Sequence, residues 1–140
     1  FNRKPIKFTG YYKYRPETKV TDRYLHELPN VKDSAAVDAV FYRNHDANGQ
    51  KIVLDGSTIK TSKAIIARAD MEFVKPQNDW TPFELTFTFV SEPDLDVMEQ
   101  NGYSLALVFS SSKQGDAFIG AIGSTLCIDK VRIICEKEQK

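Results

Sequence analysis

Apolar and polar positions alternate with a period of two along much of this chain. Residues 82–90, PFELTFTFV, show it most clearly: Phe83, Leu85, Phe87 and Phe89 fall on one side, and Glu84, Thr86 and Thr88 on the other. That pattern belongs to a strand with one buried and one wet face. Residues 5–14 behave alike. Phe8, Gly10, Tyr12 and Tyr14 share one face, and Lys7, Thr9, Tyr11 and Lys13 the other, before Arg15-Pro16 ends the run. Residues 37–43, VDAVFYR, predict another strand. In 63–74, Ile65, Ala67, Ala69, Met71 and Phe73 keep one parity, which favours a strand over a helix. Asn48-Gly49 and Asp55-Gly56 are turn signals. Residues 17–35 predict a long polar loop and 91–102 an acidic, solvated one.

The stretch Tyr103–Ile134 carries three apolar runs, 103–109, 117–122 and 125–134, separated by Ser- and Gly-rich turns. Each run is short for a helix. In the first, Leu105, Leu107 and Phe109 have one parity and Ala106 and Val108 the other, which predicts a strand in the middle of a packed sheet. This stretch is the expected β core. Six to eight short strands with turns between them predict an all-β fold, an antiparallel two-sheet sandwich of jelly-roll type. One domain spans 1–140, with a frayed charged tail from Glu136.

Charge narrows the function classes. The 140 residues carry 19 Lys+Arg and 19 Asp+Glu. That balance argues against nucleic-acid binding, which needs a basic face. The first 23 residues are locally basic, with seven cations against Glu17 and Asp22. Lysines guarding a sheet edge account for this more simply than a patch for an anionic ligand. No apolar run reaches transmembrane length. The chain begins at Phe1, as a mature or excised fragment does. Cys127 and Cys135 lie in one predicted strand, too far apart to bridge, so two free thiols are expected. Nucleophilic cysteine chemistry needs a base, and the histidines, His26 and His45, fall in loops.

Five segments in order carry a family resemblance: GYYKY at 10–14, DAVFY at 38–42, WTPFELTFTF at 80–89, SSSKQGDAFIGAIGS at 110–124 and CIDKVRI at 127–133. Together they resemble the PCMD family, the putative carbohydrate metabolism domain of exported Bacteroides-type proteins. The resemblance implies a jelly-roll sandwich similar to carbohydrate-binding modules. It also implies a position C-terminal to another β domain in a secreted or lipid-anchored chain, at the periplasm, outer-membrane surface or outside the cell. The expected partners are a glycan and that neighbouring domain. The resemblance brings no catalytic residue.

Sugar-binding faces use aromatic rings as platforms for the apolar face of a pyranose. Tyr11, Tyr12, Tyr14 and Trp80 are the candidates, against the alternative that such rings are buried with their polar tips satisfied. Tyr11, on the parity of Lys7 and Lys13, is the one expected at the surface. Asp116, after Gly115, is a turn residue or a sugar ligand. Asp129 shares parity with Cys127, Val131 and Ile133, so it is expected partly buried and in need of a partner. A metal ion, a lysine or backbone NH groups would serve; a structural Ca²⁺ is the metal candidate. Asp38, Glu84, Asp116 and Asp129 offer carboxylate pairs for a glycosidase, but sequence places none across a cleft. The leading expectation is an accessory glycan-binding module. A glycoside hydrolase-like enzyme and a spacer without a ligand are the alternatives.

Overall fold

The computed structural model describes residues 1–137, so the end of the charged tail, 138–140, lies outside the described residues. In chain order the strands are β1 (Pro5–Arg15), β2 (Val20–Thr21), β3 (Ala36–Arg43), β4 (Ile65–Asp70), β5 (Gln77–Thr86), β6 (Thr88–Phe89), β7 (Tyr103–Ser110), β8 (Gly120–Ala121) and β9 (Thr125–Cys135). One short helix, α1 (Leu95–Glu99), lies between β6 and β7. Two antiparallel sheets dominate, β5-β1-β9 and β6-β4-β3-β7, with β2-β8 as a small third pairing. The fold is an all-β sandwich.

The alternating residues make the core. Phe8, Tyr12 and Tyr14 of β1 meet Val37, Ala39 and Phe41 of β3, Ala67 and Ala69 of β4, and Phe83 of β5. Phe8 stacks on Phe83 at 5.2 Å between ring centroids, and Phe41 meets Tyr103 at 4.9 Å. Burying each large ring contributes about 1.5–3 kcal/mol. The run 82–90 serves both sheets. Phe87 N–H donates to Ile6 in the first sheet, and Val90 N–H to Ile66 in the second. One bent strand thus closes one side of the sandwich, with Phe83 and Phe87 buried. Cys127 and Cys135 are free thiols, as expected, and burial raises the pKa of the Cys135 thiol.

Four expectations change. β7 is an edge strand, not a central one, and Leu107 and Phe109 stay partly open at that edge. Residues 117–122 are mostly outside the core: a single 3₁₀ turn at Gly115–Ala117 leads to Phe118 in the left-handed region (φ 58°), Phe118 and Ile122 are exposed, and only Ala121 of the segment is buried. The acidic loop contains α1, capped by Asp94, whose Oδ1 accepts from the Asp96 and Val97 amides. β1 is flanked on both sides, so its lysines guard no edge.

The parity of β9 also breaks, at Lys130. The register of β1 against β9 slips between Thr9↔Arg132 and Tyr11↔Asp129, and Lys130 has φ 52°. This is a β-bulge. Before it, Leu126 and Ile128 face the core; after it, Val131 and Ile133 do. The bulge switches parity once and turns Asp129 outward.

Candidate functional site

The outer face of the sheet β5-β1-β9 collects chemistry from all three strands. Tyr11 stands opposite Pro82 on β5 and Asp129 on β9, and Thr9 opposite Glu84 and Arg132. Lys13 stands opposite Cys127, and Arg15 opposite Thr125. Tyr11 is 41% exposed and Trp80 46%. Thr81 pairs with Tyr12, so Trp80 projects on the outward parity beside Lys13. The Lys13 Nζ lies 4.7 Å from the Trp80 ring centroid, and the Lys130 Nζ 5.9 Å from that of Tyr11. A recess of 360 Å³ opens between Thr9, Tyr11, Pro82, Lys130 and Arg132. The bulge makes this arrangement, because it brings Asp129 and Lys130 to the surface beside Tyr11.

The remaining sequence candidates lie elsewhere. Tyr12 and Tyr14 are 5% and 1% exposed. Their hydroxyls donate to the carbonyls of Lys75 and Ser111 at 3.0 Å each. These are satisfied core tyrosines, and neither ring is open to a sugar. Burial, then the Asp33 charge, raises the Tyr14 pKa to about 12, so it stays a donor. Asp129 is exposed rather than partly buried, and its Oδ1 accepts from the Lys130 amide at 2.8 Å. Among the described residues no three His, Cys, Asp or Glu side chains gather as a metal site would need. Asp116 sits exposed in the 3₁₀ turn, on the rim of a groove across the other sheet.

That groove was not evident from sequence. It crosses the outside of β4, β3 and β7, with Ala36, Val40 and Val108 beneath and Ile59, Lys60 and Arg68 to one side. The Arg68 Nη2 donates to the carbonyls of Ile59 and Lys60, which ties the 55–62 turn to the sheet. Asp38 pairs across the strands with Asp70. Burial first, and the Asp70 charge second, raise the Asp38 pKa to about 6. Burial also raises that of Asp70. Such a register is invisible until β3 and β4 are aligned.

A further residue missed by sequence is Asp33. Its Oδ2 accepts from the Ser112 hydroxyl at 2.7 Å, the Ser124 hydroxyl at 2.5 Å and the Ala121 amide at 3.1 Å. It pins the 16–34 loop across the turns at 111–124. Beside it lies a cleft of 820 Å³, between that loop and Phe73, Val74 and Pro76.

The all-β sandwich thus presents an exposed aromatic pair on one sheet and a carboxylate-rimmed groove on the other. Residues 1–134 match the family described as putative carbohydrate metabolism domain, and the chain belongs to that family. Two solved structures are similar. One, from Bacteroides thetaiotaomicron and described as a putative glycoside hydrolase, shares 33% identity with a TM-score of 0.90 over 99% of this chain. The other, from Bacteroides vulgatus and described in the same words, shares 33% identity with a TM-score of 0.84 over 97% of this chain. The matches span only 40% and 54% of those two chains. No curated protein matches.

Proposed function

We propose that this domain is an accessory glycan-binding module of an exported protein, and that it binds through the outer face of β5-β1-β9. The supporting observation is the pair of exposed rings, Tyr11 and Trp80, on one sheet face with polar side chains around them. A pyranose can lay its C–H face on such a ring while neighbouring groups bond its hydroxyls. Membership of a carbohydrate-related family favours a sugar over other ligands. Affinity electrophoresis in gels cast with plant, host and microbial polysaccharides tests it. At least one polysaccharide should retard the native domain, and Tyr11→Ala with Trp80→Ala should abolish the retardation at unchanged melting temperature. Retardation by none would leave a spacer domain.

A second reading, glycoside hydrolysis, has one observation in its favour. Residues directly opposite in an antiparallel pair place their Cβ atoms about 4.5–5.5 Å apart, and retaining glycosidases hold their carboxyls about 5–5.5 Å apart. Asp38 and Asp70 are such a pair, and the raised Asp38 pKa suits a general acid. Cleavage of a polysaccharide that is lost in both Asp38→Asn and Asp70→Asn would establish this reading over binding alone.

A further inference from the structure

We infer that the glycan taken by the Tyr11–Trp80 face is anionic, a chain bearing uronate carboxylates or sulfate esters. The inference rests on the binding face proposed above and names its ligand class. The strand register brings Lys7, Lys13 and Arg15 of β1 onto the same face as Lys130 and Arg132 of β9, with Glu84 and Asp129 interleaved among them and Asp79 exposed beside Trp80 on β5. Glu84 is held by the Lys7 Nζ at 2.9 Å, and one oxygen of Asp129 is taken by the Lys130 amide. Among the described residues, Lys13, Arg15, Lys130 and Arg132 have no carboxylate within salt-bridge distance. Edge protection does not account for them on β1, because a central strand presents no open edge.

The two rings sharpen the choice. Each already carries an ammonium group over it, Lys13 on Trp80 and Lys130 on Tyr11. A neutral sugar lying on either ring displaces the ammonium, loses the cation–π attraction and offers no charge in return. An anionic sugar takes the ring with its C–H face and gives the displaced ammonium a carboxylate or sulfate. Those charge-assisted hydrogen bonds are the stronger kind. Arg132, at the edge of the recess beside Tyr11, has the planar fork that takes either group with two parallel bonds.

Isothermal titration of the domain with polygalacturonate, chondroitin sulfate, neutral galactan and polyglutamate tests this. Polygalacturonate or chondroitin sulfate should bind at least about tenfold more tightly than galactan, and added salt should weaken it because exposed charges are screened. Polygalacturonate carries carboxylates alone and chondroitin sulfate both carboxylates and sulfate esters, so binding of polygalacturonate shows that a carboxylate suffices. Lys13→Ser and Arg132→Ser should each weaken the acidic polysaccharide several-fold at unchanged melting temperature, and Trp80→Ala should also weaken it. Galactan binding as tightly as the acidic chains would overturn the inference while leaving the glycan-binding face intact. Polyglutamate binding as tightly would also overturn it, since charge alone would then suffice. If no polysaccharide binds, the inference fails together with the face it rests on.

Discussion

At the scale of single residues, Asp129 is exposed where its parity predicted partial burial, and Asp38 is half-buried. Parity placed Asp129 among apolar neighbours, but the Lys130 bulge exposes it. Asp129→Ala should therefore melt within about 0.5 kcal/mol of the native protein, as an ordinary surface change does. EDTA should leave both melting temperatures where they are. Asp38, one of the four carboxylates named from sequence, is half-buried opposite Asp70. Its folded pKa, about 6, lies above the ordinary value of 3.8. Ionising it costs more in the folded than in the unfolded state, so its contribution is most favourable when protonated and declines as pH rises from 3.8 through about 6. Asp38→Asn should raise the melting temperature at neutral pH. That gain should shrink as pH falls below about 6 and vanish near 3.8. A gain that persists unchanged in acid would show that the charge is not its cause.

At the scale of elements, the clearest parity gave the truest elements. The alternation of 82–90 described β5 and β6 because all four of its large apolar residues point inward, even though the strand changes sheets midway. The run 117–122 misled because its apolar residues include Phe118 and Ile122, which lie on a tight turn at the surface. Composition cannot distinguish that from a short buried strand. The bulge left no parity signal of its own, but Gly10 marks its neighbourhood. A Cβ there would stand 2.8 Å from the Phe83 ring and 3.2 Å from the Asp129 carbonyl. Phe83 thus lies over Gly10 while the bulged strand passes close by. Gly10→Ala should destabilise the fold by about 1–3 kcal/mol through overpacking, measured by denaturant unfolding. Gly10→Ala with Phe83→Leu should recover part of that loss.

At the scale of the whole molecule, the fold class and the family were both legible, since alternation and ordered segments survive without coordinates. The candidate site was legible only in part. Tyr11 and Trp80 could be named, but that they share a face with Lys130 and Arg132 depends on pairing between strands more than a hundred residues apart. Asp33 was hidden for the same reason, since its partners lie near residues 112–124. Asp33→Ala leaves those groups without their acceptor and should cost about 1–3 kcal/mol. Proteolysis should then begin within 16–34, the loop it anchors.

The account turns on which surface meets the sugar, and a backbone amide map answers that directly. Nitrogen–proton spectra of the labelled domain, recorded while a retarding polysaccharide fragment is added, should show shifts concentrated at Thr9, Tyr11, Lys13, Trp80 and Lys130 on the outer face of β5-β1-β9. Shifts concentrated instead at Asp38, Lys60 and Arg68 would contradict the proposed face and place the ligand in the carboxylate groove.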